Sequence, residues 1–74
     1  MEEKILKIIN QIRESKGMSP LTKLTASDDL RDNVGFTSFD LAELTVRLED
    51  EYGVDVFEDG LVSTIGEILE KLNK

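Results

Sequence analysis

The chain has 74 residues, enough for one small domain and too few for a deep pocket walled by its own core. Hydrophobic residues make up 39% and charged residues 34%, the balance of a soluble folded domain and not of a disordered acidic tail. There is no Cys and no His. Disulfides and thiolate metal sites are thereby excluded, and the commonest general base is missing, so catalysis by this chain alone is not expected. No apolar run approaches the length of a bilayer span, and the start Met1-Glu2-Glu3-Lys4 is acidic and unlike a signal peptide. A cytoplasmic location is expected.

The net charge of −7 is unevenly placed. Residues 1–37 and residues 60–74 each sum to zero, whereas residues 38–59 hold eight acids against Arg47 alone. That window attracts basic protein surfaces and repels nucleic acid and anionic membrane, or it is a solvated face that aids solubility.

The first helix is predicted from Glu2 to Ser15, where Ile5, Ile8, Ile9 and Ile12 recur at helical spacing and Gly17 follows as a stop. A long connection runs from Lys16 to Gly35. Ser19-Pro20 breaks any helix there, and Leu21, Leu24 and Leu30 predict that the loop lies on the core. Ser27-Asp28-Asp29-Leu30 is expected to begin one short helical turn, with Ser27 as its cap. The second helix is predicted from Ser38 to Tyr52, with an inward stripe of Leu44, Leu48 and Tyr52 widened by Ala42 and Phe39, and Gly53 as its left-handed cap. Val54-Asp55-Val56-Phe57 alternates like a strand but has no partner, and is read as a linker. Glu58 to Val62 is expected to form a turn or a short helix. Thr64-Ile65-Gly66-Glu67 matches a capping box, opening a last helix with Ile65, Ile68, Leu69 and Leu72 inward. The fold class expected is all-α: a single domain over residues 1–74, with three main helices, room for a short fourth, and a long first loop.

The informative stretch is Gly35-Phe36-Thr37-Ser38-Phe39-Asp40-Leu41-Ala42-Glu43-Leu44. It sets a Ser at the start of an acidic amphipathic helix. A helix N-terminus presents unpaired N–H groups and the positive end of the dipole, so a phosphate attached there gains both. On the residues alone, the plain helix cap is the favoured reading of Ser38, because Ser is a preferred cap residue.

The order of these features resembles the acyl carrier protein family over nearly the whole chain. The family motif is typically Gly-x-Asp-Ser-Leu before an acidic helix; here it reads Gly35-Phe36-Thr37-Ser38-Phe39. Leu48-Glu49-Asp50-Glu51-Tyr52-Gly53-Val54 is similar to the family's Leu-Glu-Glu-Glu-Phe-Gly-Ile. The resemblance implies that Ser38 carries 4′-phosphopantetheine, placed there from coenzyme A by a phosphopantetheinyl transferase using magnesium. It also implies that the arm holds acyl or aminoacyl groups as thioesters for acyl-loading and acyl-processing enzymes with basic docking surfaces. The thiol then belongs to the cofactor, and the chain itself is not an enzyme. A monomer that binds neither nucleic acid nor membrane is expected, and the start at Met1 favours a free-standing protein. The docking face is expected from Phe39, Asp40, Leu41, Glu43, Val46, Arg47, Asp50 and Glu51, with a core position for Leu41 and Val46 as the alternative. Thr37 and Phe39 depart from the motif. Thr37 still suits a helix cap, with Asp40 three residues on, but removes a negative charge beside Ser38.

Three rival readings compete. Asp55-x-Phe57-x-Asp59-Gly60 echoes a calcium loop, but the third position is Phe and the twelfth is Gly66, so a dedicated site is rejected. A serine hydrolase at Ser38 lacks a His and any Lys close in sequence. A small acidic interaction module without a prosthetic group is the main alternative, and it differs in leaving Ser38 dispensable.

Overall fold

A computed structural model of the chain describes residues 2–58, 60 and 62–73. Three helices form, α1 (Glu2–Ser15), α2 (Ser38–Tyr52) and α3 (Ile65–Leu72), and among the described residues no strand is present beyond one isolated bridge between Asp29 and Thr64. The all-α expectation and the bounds of α1 and α2 hold. The short fourth helix does not form among the described residues; residues 56–58 make a turn, and Asp59 and Leu61 of the expected 58–62 turn lie outside the described residues.

The inward faces meet in one core. Ile5, Ile9 and Ile12 of α1, Leu41, Leu44 and Leu48 of α2, and Ile65, Ile68 and Leu72 of α3 are all buried, joined by Leu30, Val34, Phe36, Val56 and Val62 from the connections. The start of α3 and the end of α2 have clear chemical causes. Thr64 caps α3 through a capping box with Glu67, as the sequence predicts, and Gly53 ends α2 at φ 71°.

The first loop lies on the core because polar side chains of α1 grip its backbone. Asn10 accepts from the Leu21 N–H at 2.7 Å and donates to the Leu21 carbonyl at 2.9 Å. Arg13 is buried, and donates to the carbonyls of Ser19 and Val34. The other side of the loop satisfies the first turn of α3, whose Ile65 and Gly66 N–H groups donate to the carbonyls of Asp28 and Ala26. The short helical turn forms later than expected, at residues 29–33. Its cap is Asp29, whose Oδ1 accepts from the N–H groups of Arg31 and Asp32, and not Ser27. Leu30, its second residue, must reach the core, and that sets the register of the turn.

Candidate functional site

The loop delivers the chain to α2 at Gly35, which sits at φ 82°; a Cβ placed there would meet Met18 Cε, the movable end of a flexible side chain, at 2.7 Å. The positive φ is what favours glycine here. Lys16, the first residue after α1, then donates to the Gly35 carbonyl at 3.0 Å and pairs with Asp40, so the start of α2 is tied to the end of α1.

Thr37 is the N-cap. Its Oγ1 accepts from the Asp40 N–H at 3.3 Å and donates to Asp40 Oδ2 at 3.0 Å, while Asp40 Oδ2 also accepts from the Thr37 N–H at 2.8 Å. Burial pushes the Asp40 carboxyl up, but the hydrogen bonds from Lys16 and Thr37 outweigh it and hold Asp40 below the usual carboxylate range.

Because Thr37 occupies the cap, Ser38 falls one position later, as the first residue of the helix, and its hydroxyl is not consumed in capping. The plain-cap reading of Ser38 therefore fails. Ser38 is exposed, and its Oγ accepts from the Arg31 guanidinium at 2.7 Å. A guanidinium holds its protons at any ordinary pH and cannot take one from the serine, which leaves the hydrolase reading without a base at this contact. Beside Ser38 opens a shallow groove lined by Arg31, Leu41, Ala42 and Phe57.

The residues expected to form a docking face separate into three groups. Phe39 and Val46 are 69% and 67% exposed, and Asp50 is exposed with them. Glu43, Arg47 and Glu51 lie along the border with α1: Arg47 pairs with Glu43 and donates to Gln11 Oε1 at 3.1 Å, and Glu51 accepts from Lys4 at 2.7 Å. Asp40 and Leu41 are buried and stand apart from the expected docking face, Leu41 showing only an edge to the groove. Asp40 is turned inward by its capping bonds, and Leu41 lies on the Leu44–Leu48 side of the helix, one turn before Leu44. The same rotation carries Ala42 and Phe39, expected in the core stripe, outward. Arg31, Ala42 and Phe57 were not expected at the site. Arg31 and Phe57 come from turns with no periodicity to place them, and a helical-wheel fit centred between Leu41 and Leu48 would have found Ala42.

The family of phosphopantetheine attachment sites matches residues 6–72, and the chain is 34% identical over 70 residues to a protein named acyl carrier protein from Saccharopolyspora erythraea, covering 92% of this chain and 74% of that one. The chain belongs to the acyl carrier protein family. As a member it is a carrier of acyl intermediates and not a catalyst, and it takes covalent 4′-phosphopantetheine. No solved structure matches. Among the described residues, no helix is long and apolar enough to cross a membrane, and no group of acidic side chains is arranged to hold a metal ion.

The site fits the group that the family carries. It offers an exposed hydroxyl, a cation on that hydroxyl, the N–H groups of a helix start, and a groove with apolar walls leading away from it.

Proposed function

We propose that Ser38 Oγ is the attachment atom, and that this single small domain presents acyl thioesters from it to partner enzymes. The observation that carries the proposal is the capping of α2 by Thr37, which leaves the Ser38 hydroxyl exposed at the helix start. When attached, the group supplies the thiol that a chain without Cys lacks.

The chain's own part is positional. The Gly35 turn and the Lys16–Asp40 pair hold the start of α2 still, so the arm swings from a fixed point. Leu41, Ala42 and Phe57 offer apolar contact to whatever lies along the groove. The docking surface proposed is the outward face of α2 with its border toward α1: Phe39 and Val46 as apolar contacts, with Asp50, Glu43 and Glu51 facing basic groups of the transferase and of the acyl-loading and acyl-processing enzymes. Arg47 is the one cation in that face and adjusts partner choice. The same reading takes the carrier to be a cytoplasmic monomer.

The test is intact mass after incubation with coenzyme A, magnesium and a broad-specificity phosphopantetheinyl transferase. Wild type is expected to gain one phosphopantetheine and Ser38→Ala none. Gain by Ser38→Ala would move the site elsewhere. No gain by either protein, with mass of the natively isolated protein also unmodified, would favour an interaction module without a prosthetic group.

A further inference from the structure

Arg31 stands seven residues before Ser38, yet its guanidinium donates to Ser38 Oγ at 2.7 Å. The turn at 29–33 holds it there. Asp29 Oδ1 accepts from the Arg31 N–H at 2.8 Å, the Gly35 N–H donates to the Arg31 carbonyl at 3.1 Å, and the Leu30 N–H anchors the turn on Ser63. The other cations around this end of the molecule are committed elsewhere. Lys16 holds Asp40, Arg13 holds loop carbonyls, and Arg47 holds Glu43 and Gln11. Arg31 also lines two neighbouring clefts, one running past Ser38 and Phe57 and one past Val62 and Ser63, so its side chain stands where they meet.

We infer that Arg31 is the positioning residue for the phosphodiester of the attached arm, an inference that rests on Ser38 being the attachment atom. Esterified Oγ is a poor acceptor, whereas the phosphodiester it carries keeps a negative charge on the two non-bridging oxygens, two bonds further out. The same guanidinium fork reaches those oxygens and suits them better than it suits a hydroxyl, because two parallel N–H groups meet two phosphate oxygens. Thr37 is neutral, so the preceding residue sets no carboxylate beside the phosphodiester to compete for the fork. Asp29, two residues before Arg31, is engaged by two backbone N–H groups. Loading adds a negative charge to a chain already at −7, at the start of its most acidic segment. Arg31 offsets that charge and fixes the first link of the arm at the mouth of the groove.

The experiment compares wild type and Arg31→Gln, each before and after loading to completion, as judged by intact mass. Circular dichroism of the unloaded variant is expected to match wild type, since Arg31 is exposed. At low ionic strength, loading should change the Tm of wild type more favourably than that of Arg31→Gln by roughly 1–4 °C, the size of an exposed charge pair in a domain this small. High salt should shrink the difference. The phosphodiester ³¹P resonance should relax faster in wild type, because a pinned phosphorus tumbles with the domain. Arg31→Lys should keep part of the Tm difference as a point charge. Equal Tm changes and equal ³¹P relaxation in wild type and Arg31→Gln would overturn the role of Arg31. Failure of Ser38 as the attachment atom would show earlier and separately, as loading of Ser38→Ala or no loading of wild type, and would remove the inference with it.

Discussion

Thr37 and Asp40 make the most of the least material. One hydroxyl and one carboxylate cap α2 in both directions, and the carboxylate also holds Lys16 across from α1. Removing the cap by Thr37→Ala should cost about 1 kcal/mol, within a range of about 0.5–2, and leave the Ser38 hydroxyl in place. Urea unfolding of the variant, read as a lower midpoint at unchanged slope, checks this. Ser38→Ala should cost less, because Ser38 is exposed and does not cap. The pH dependence has a definite sign. Asp40 is held below its unfolded value, so its contribution is fully present above the unfolded carboxyl pKa of about 4 and is lost as pH falls through the lower folded value. Asp29, lowered by the N–H groups of Asp32 and Arg31, and Glu51, lowered by Lys4, act in the same direction. Asp40→Asn should therefore flatten the acid limb of a Tm-against-pH curve without abolishing it; an unchanged limb would show that ionised Asp40, with its bonds from Lys16 and Thr37, contributes nothing to the acid limb.

At the scale of the element, α2 has two faces that answer differently to the same change. Leu44→Ala or Leu48→Ala empties a fully buried position and should cost about 2–5 kcal/mol. A domain of this size has only about 4–11 kcal/mol in all, so thermal unfolding should shift by many degrees. Val46→Ala, on the exposed face, should stay within about 0.5 kcal/mol of wild type while weakening binding to a partner enzyme. A stability loss at Val46 comparable to that at Leu48 would place Val46 in the core and rule it out as a contact. The connection into α2 is as demanding as the helix itself. Gly35→Ala must accept a left-handed backbone, at about 1–2 kcal/mol, while Met18 Cε swings aside. Thermal unfolding of that variant should fall at least as far as that of a cap variant.

Across the whole molecule, the loop and α3 depend on each other. The Asp28 and Ala26 carbonyls satisfy the first turn of α3, and Ala26 lies so close to Gly66 that a Cβ there would stand 3.0 Å from the Ala26 carbonyl oxygen. The segment that carries Arg31 is thus fixed by the far end of the chain, through Leu30 on Ser63 and the Asp29–Thr64 bridge. The fold was legible because its signals are local. Isoleucines at helical spacing, a capping box at Thr64 and glycines after helix ends each act over a few residues, and each was readable in place. The docking face was less legible. Leu41 and Ala42 differ by one step along the helix, which is 100° of rotation, and a stripe of Leu44, Leu48 and Tyr52 does not by itself say where the face ends.

By itself the sequence determined three helices, a long connection held on the core, an acidic second helix and a serine at its start, because hydrophobic period, capping chemistry and charge are properties of short segments. Only the tertiary structure decided that Thr37 and not Ser38 is the cap, that Asp40 faces Lys16 instead of solvent, and that Arg31 meets the serine. Those outcomes depend on where a loop without periodicity folds back, and that is set by Leu30 finding the core and by backbone groups from distant parts of the chain needing partners.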